Sequence, residues 1–132
     1  MVREHLADDE AALFWKQQYQ DQRHALEVAA RVAAVRGDDR VAIKAALLHD
    51  VGKRHSRLGA FARSLATVLD ATSLPLPDRM AAYRAHGPLG ARELEACECE
   101  PLVVEFAGRH PGPAPIGIDP ARWRALLEAD EV

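Results

Sequence analysis

The spacing of the apolar residues is the feature that most restricts what this chain can fold into. Across residues 22–35 apolar side chains recur at helical spacing, and no segment of the sequence alternates apolar and polar residues over a sustained length. Ala and Leu are abundant and aromatic residues make up only 5% of the chain, a composition that favours helices over strands. The pattern predicts an all-α protein.

Capping residues, proline and glycine separate the predicted helices. The start and stop signals are Asp21, Gly37, Asp38 or Asp39, Pro88, Pro101 and the pair Asp119-Pro120. The expected helices cover residues 11–15, 22–35, 41–49, 59–69, 88–98, 101–109 and 120 onwards, with a short helix at 78–84 and connectors at 73–77 and 111–117. A chain of 132 residues fits one domain, so we expect residues 1–132 to form an irregular bundle of about seven helices.

The charge balance disfavours one class of partner. Lys and Arg number 17 against 20 Asp and Glu, which gives a formal net charge of −3 with the two signs mixed along the chain. A protein that binds duplex nucleic acid needs a strongly basic surface, so no duplex partner is expected. No apolar stretch approaches the roughly 20 residues that a membrane span requires, so no membrane partner is expected either.

Two local features have ordinary explanations. A solvated face is favoured over a binding tail for the acidic run Glu93, Glu95, Glu98 and Glu100. Cys97 and Cys99 have poor spacing for a short disulfide loop, and a single Cys-x-Cys pair is a weak zinc signal. We expect two reduced thiols near a helix end, which suits a cytoplasmic location.

The histidines, together with two acids, carry the chemical information. The candidates stand at or near the ends or faces of predicted helices: His24, His49, Asp50, His86, His110 and Asp130. Imidazole and carboxylate ligands suit divalent ions such as iron, manganese, zinc or nickel, and a hydrolytic site needs such ligands with open positions. His5 and His55 are interpreted as surface residues or as histidines with ordinary hydrogen-bond partners. Spacing alone does not bring the candidates together, and a helical domain with incidental histidines is the alternative.

Three segments resemble one known family. The run Ala45-Ala46-Leu47-Leu48-His49-Asp50-Val51-Gly52-Lys53 closely resembles the signature of the HD phosphohydrolase superfamily, an apolar helix that ends in His-Asp-x-Gly-Lys. Residues 21–29 resemble the family's first-histidine helix, and residues 125–130 resemble its closing Leu-x-x-Ala-Asp helix. The segments occur in the family's order, and the resemblance covers nearly the whole chain.

The resemblance implies an HD-domain fold and a set of metal ligands. His24, His49, Asp50 and Asp130 would bind one ion, while His86 and His110 would bind a second ion that Asp50 bridges to the first. The implied cofactor is a pair of divalent transition metals, with iron or manganese expected and zinc, nickel or magnesium left open. The segment His86-Gly87-x-x-Gly90-Ala91 is similar to the YqeK-like group of small single-domain proteins, which resemble symmetrical diadenosine tetraphosphate hydrolases.

The implied activity is hydrolysis of a phosphate ester or anhydride by metal-activated water. The expected substrate is a small nucleotide or dinucleoside polyphosphate, with Asp50 and Lys53 as catalytic residues and Lys53 as a point charge on a phosphate. Further phosphate contacts are expected among Arg54, Arg57, Arg84 and Arg109. A metal-dependent nucleotide-binding regulatory module with little or no turnover would use the same ligands and stays the alternative. A homodimer is left open.

Overall fold

Helices make up all the regular structure in the part of the chain that the structure describes. The structure is a computed structural model and describes residues 1–55 and 86–131, without the side chains of residues 54, 55 and 86. Within these ranges the helices are α1 (Val2–His5), α2 (Asp8–Trp15), α3 (Tyr19–Arg36), α4 (Arg40–Leu48), α5 (His86–Ala96), α6 (Pro101–Arg109) and α7 (Pro120–Glu131), with a 3-10 turn at Val51–His55. The predicted helices at 59–69 and 78–84 and the connector at 73–77 lie outside the described residues. The all-α prediction is confirmed for the described residues.

Most of the predicted helix boundaries agree with the structure because the signals are local. Gly37 ends α3 with a φ of +61°, a backbone conformation that glycine adopts readily. The side chain of Asp39 accepts a hydrogen bond from the backbone N–H of Ala42 at 3.2 Å and so caps α4. Pro101 occupies the first turn of α6, and α7 begins at Pro120, directly after Asp119.

Four boundary predictions are wrong. Helix α2 begins at Asp8 rather than at 11, and α5 begins at His86 rather than at 88. Asp21 does not cap α3, because Gln18 is the extended residue before the helix and Asp21 lies in its first turn, where a carboxylate still favours the helix dipole. Helix α5 ends at Ala96 rather than at 98, because Glu98 has a φ of +58° and the helix cannot continue through that residue. Glycine usually marks such a position, so the sequence carried no stop signal there. The structure also adds α1, which was not predicted.

Helix α4 lies at the centre of the packing. Six of its 9 residues are buried, and it packs against α3, α6 and α7 as well as α1 and α2. The shared core includes Phe14, Val28, Leu47, Leu48, Phe106, Trp123 and Leu126. His49 and Asp50 directly follow α4 and are therefore buried in the interior of the bundle.

Glycines allow α5 to approach closely two segments that adjoin candidate ligands. A Cβ atom on Gly90 would lie 2.9 Å from the backbone nitrogen of Gly52, and one on Gly87 would lie 3.0 Å from the carbonyl oxygen of Ala107. Only glycine fits such backbone contacts without displacement. They place the start of α5 beside the turn that follows Asp50 and beside the end of α6, which precedes His110.

A polar cluster joins α2, α4 and the segment before α6. Lys44 Nζ donates to Glu10 Oε2 and Glu100 Oε1, both at 3.0 Å, and the thiol of Cys99 donates to Glu10 Oε2 at 3.1 Å. Burial raises the pKa of Cys99, and the Glu10 carboxylate raises it further. Cys97 and Cys99 are both free thiols, as predicted.

The solvated-face prediction holds for part of the acidic run. Glu95 and Glu98 are exposed, but Glu93 and Glu100 are partly buried, and Glu100 pairs with Lys44. The run is therefore not a continuous solvated face. No helix in the described ranges is both long enough and apolar enough to cross a membrane.

We expect Glu10→Gln to destabilise the protein near neutral pH and much less in acid. Burial raises the pKa of Glu10, but hydrogen bonds from the Ala7 backbone, Cys99 and Lys44 outweigh burial and hold it below the usual 4.5. A lowered pKa stabilises the fold above pH 4.5, and this stabilisation is lost as the pH falls through the folded-state pKa. The variant should lose about 1.5–3 kcal/mol of unfolding free energy, typical of a hydrogen bond to a charged group. Urea unfolding at several pH values in the acid range measures the difference in unfolding free energy between variant and wild type. A difference that did not change with pH would contradict the prediction.

Candidate metal centre

The four residues predicted to bind the first ion come together in the bundle. His24 Nε2 lies 2.8 Å from Asp130 Oδ1, although 106 positions separate the two residues. His49 Nε2 lies 3.1 Å from the same oxygen of Asp130 and 3.2 Å from Asp50 Oδ2. The packing of α3 and α4 against α7 produces this convergence, because His24 comes from α3, His49 and Asp50 directly follow α4, and Asp130 comes from α7.

His110 joins the same cluster from the other side of Asp50. It directly follows α6, and its Nε2 lies 3.4 Å from Asp50 Oδ1. The ring of His110 stacks on that of Phe106, with 4.9 Å between the ring centroids and 21° between the planes. The two oxygens of the Asp50 carboxylate therefore face different imidazoles, Oδ2 facing His49 and Oδ1 facing His110.

Backbone carbonyls orient both of these imidazoles. The Nδ1–H of His49 donates to the carbonyl oxygen of Ala46, and that of His110 donates to the carbonyl oxygen of Phe106, both at 2.6 Å. With Nδ1 occupied in this way, Nε2 of each ring is directed at the carboxylates. Metal-binding histidines typically show this arrangement, in which the second nitrogen is held by an outer hydrogen bond.

The carboxylates of Asp50 and Asp130 create a negative potential around the neighbouring imidazoles. Burial alone would lower the pKa of His49, yet the carboxylates of Asp130 and Asp50 raise it to about 10. Burial would raise the pKa of Asp130, but His49 and His24 lower it to about 2. The pKa of Asp50 is held well below its usual range despite burial, with contributions from His110, His49 and Lys53. The same negative potential favours any cation at these nitrogens, whether a proton or a metal ion.

The donor set and its spacing fit a transition metal. Two overlapping groups, His24 with His49 and Asp50, and His49 with His110 and Asp130, each have all their ligand atoms within 4.8 Å of one another. Imidazole nitrogens and carboxylate oxygens are suitable ligands for divalent iron, manganese or zinc. The side chains of His24 and Asp130 remain 35% and 23% exposed, so the centre opens to solvent on that side.

The other predicted site residues fall into three groups. Lys53 reaches the cluster, since its Nζ donates to Asp50 Oδ2 at 2.9 Å. His86 is the first residue of α5, and its side chain lies outside the described atoms, as do Arg57, Arg84 and the side chain of Arg54. Arg109 is paired with Glu105 one turn earlier on α6. His5 is not in the cluster and its ring contacts the carbonyl of Met1, as expected for an incidental histidine.

The sequence reasoning missed one residue at this centre. Arg31 Nη1 donates to the carbonyl oxygen of Ala129 at 3.0 Å, next to Asp130 along the chain. Arg31 follows His24 by seven positions, which is two helical turns, so both lie on the same side of α3. The spacing of seven residues from His24 was the signal in the sequence that could have identified Arg31.

Comparisons with known proteins give no match. No family model, no curated protein and no solved structure matches this chain.

Proposed function

We propose that this chain is a metal-dependent phosphohydrolase with the fold of the HD superfamily. The observation that carries the proposal is the placement of Asp50, whose two carboxylate oxygens face His49 at 3.2 Å and His110 at 3.4 Å. A carboxylate that faces two separate imidazoles in this way suits a bridge between two cations. The motif His49-Asp50-x-Gly52-Lys53 and the approach of His24 and Asp130 support the same assignment.

The residues divide into two ligand groups. His24, His49, Asp50 and Asp130 would hold the first ion, and His110 with Asp50 would contribute to a second, for which His86 is the remaining candidate from the sequence. When bound, divalent metals lower the pKa of water and neutralise charge on a phosphoryl group. The chain supplies Nε2 atoms oriented by the carbonyls of Ala46 and Phe106, and the partly exposed side chains of His24 and Asp130 give the centre access to solvent.

Lys53 contributes a positive charge at the edge of the centre. Hydrolysis joins a water oxygen to phosphorus and breaks the bond from phosphorus to the leaving oxygen, which takes up a proton. Negative charge on the phosphoryl oxygens must be stabilised during this step. The ammonium group of Lys53 lies 2.9 Å from Asp50 Oδ2 and the side chain is partly exposed, which supports a role for Lys53 in stabilising that charge.

We propose a small phosphate-rich nucleotide as substrate, with dinucleoside polyphosphates ahead of mononucleotides. The net charge of −3 and the scarcity of aromatic residues disfavour a long nucleic acid, which needs a continuous basic surface and stacking platforms. The segment His86-Gly87-x-x-Gly90 favours a dinucleoside polyphosphate, on the resemblance to the YqeK-like group. A reducing cytoplasm is the proposed compartment.

The decisive experiment combines metal analysis with a phosphate-release screen. Purified protein loaded with manganese or iron should bind two ions per chain and hydrolyse diadenosine tetraphosphate with water to two molecules of ADP. His110→Ala should retain one ion, because in the proposed division His110, whose Nε2 lies 3.4 Å from Asp50 Oδ1, holds the second ion and not the first. His5→Ala is the matched control, a histidine on α1 outside the cluster, and should keep both ions and full activity.

Each other outcome has a definite meaning. Phosphate release from AMP alone would replace the dinucleotide substrate with a mononucleotide. Faster cleavage of oligonucleotides would overturn the substrate class while leaving the metal centre intact. Full metal loading with nucleotide binding but no hydrolysis would favour the regulatory module. A protein that binds no divalent metal would contradict the proposal altogether.

A further inference from the structure

The end of α7 is attached to α3 by an arginine as well as by the candidate ligands. Arg31 Nη1 donates to the carbonyl oxygen of Ala129 at 3.0 Å. This carbonyl belongs to the last turn of α7, where backbone carbonyls have no partner within the helix. The guanidinium therefore satisfies an acceptor that would otherwise need water, and its positive charge favours the negative end of the helix dipole.

Two contacts from one side of α3 hold the same turn of α7. His24 Nε2 lies 2.8 Å from Asp130 Oδ1, and Arg31, two turns further along α3, binds the carbonyl of the preceding residue. Glu27 lies between them in sequence and its Oε2 is 3.9 Å from Arg31 Nη2, which helps to orient the guanidinium. The backbone beside Asp130 is thus fixed independently of the side-chain contact that Asp130 makes itself.

Asp130 needs this support more than the other candidate ligands do. His49 and Asp50 are buried directly after α4, whereas Asp130 is the second-last residue of α7 and its side chain is 23% exposed. Helix ends fray when nothing holds their last turn. The buried residues Trp123, Leu126 and Ala129 anchor α7 in the core, but none of them fixes the carboxylate of Asp130.

We propose that Arg31 is a positioning residue for the metal centre, which acts by holding the last turn of α7 so that Asp130 meets His24 and His49. This inference rests on the proposed function, because Asp130 is positioned as a metal ligand. Arg31 itself touches no candidate ligand atom in the described contacts; its effect passes through the backbone of Ala129.

The test compares two arginines that both attach α7 to the rest of the bundle. Arg31→Met removes the hydrogen bond to Ala129, and Arg31→Lys keeps a donor. Arg122→Met is the matched control, since Arg122 Nε donates to Asp39 Oδ2 at 2.9 Å and its side chain is as exposed as that of Arg31, 35% against 34%. For each variant we would measure the manganese dissociation constant by calorimetry and the thermal unfolding of protein stripped with a chelator.

Arg31→Met should weaken manganese binding about tenfold, the lower end of the range seen when an outer partner of a metal ligand is lost. Arg31→Lys should recover most of that loss, and amide hydrogen exchange in the last turn of α7 should be faster in Arg31→Met than in wild type. Arg122→Met should lower the unfolding temperature without changing the dissociation constant.

The outcomes separate this inference from the proposed function. If wild-type protein binds manganese and hydrolyses nucleotides while Arg31→Met binds the metal as tightly as Arg122→Met does, the positioning role is wrong and the function stands. Equal weakening in both methionine variants would likewise assign the effect to general destabilisation. If the wild-type protein binds no metal, both proposals fail.

Discussion

Asp50→Asn is expected to lose metal binding and phosphohydrolase activity together. One carboxylate oxygen faces His49 and the other faces His110, so a single substitution changes both sides of the centre. An amide carries no charge and offers only one acceptor oxygen. We expect manganese affinity to fall by more than the roughly 10–100-fold that follows loss of an outer partner. The value of kcat/KM should fall about 1,000-fold or more, which corresponds to about 4 kcal/mol of transition-state stabilisation.

The control for Asp50 is a second aspartate whose side chain is largely buried. Asp39 has a side-chain exposure of 7%, against 5% for Asp50, and it caps α4 while pairing with Arg36 and Arg122. Asp39→Asn should lower the unfolding temperature and leave manganese binding and kcat/KM near wild type. Calorimetry and a phosphate-release assay on both variants measure the difference. An Asp50→Asn protein that bound two manganese ions with wild-type affinity would remove the bridging role and with it the proposed function.

Lys53→Met is expected to lower kcat strongly without weakening metal binding. The Lys53 ammonium lies 2.9 Å from Asp50 Oδ2, where it stabilises the carboxylate and also repels a second cation at the same oxygen. Its removal should therefore leave manganese affinity unchanged or slightly higher. Loss of one charged donor that acts on the transition state typically costs about 100-fold in kcat, and we expect a decrease of that size.

The change in manganese affinity distinguishes a catalytic role for Lys53 from a role that only positions Asp50. A lysine that only holds Asp50 in place would, when removed, weaken manganese binding, and excess metal would restore the activity. Lys44→Met is the matched control, because Lys44 is also partly buried and bound to carboxylates, those of Glu10 and Glu100, away from the centre. It should destabilise the protein and retain kcat. If Lys53→Met kept wild-type kcat at saturating manganese, its assignment as a catalytic residue would be wrong.

Much of the described fold could be predicted because its signals are local. Helical spacing identified α3, the longest helix among residues 1–55 and 86–131, and the stop at Gly37 and the cap at Asp39 are properties of a few neighbouring residues. The errors in the predicted helix boundaries arise where the residue at a helix end is not of a type that usually signals one. The extended residue before α3 is Gln18, and α5 ends two residues before a glutamate with positive φ, although neither residue type is a usual signal for those positions.

The identities of the candidate ligands came from the sequence, and their arrangement came from the packing. The order of His24, His49-Asp50 and Asp130 along the chain carried the family resemblance. The contact between His24 and Asp130, which are 106 positions apart, depends instead on how α3, α4 and α7 pack around one core. Only the tertiary structure decided that the two oxygens of Asp50 face different histidines and that Arg31 reaches the end of α7. The physical reason is that caps and periodicity depend on neighbours along the chain. The direction of a side chain depends on surfaces contributed by distant segments, so it becomes defined only when the helices are packed together.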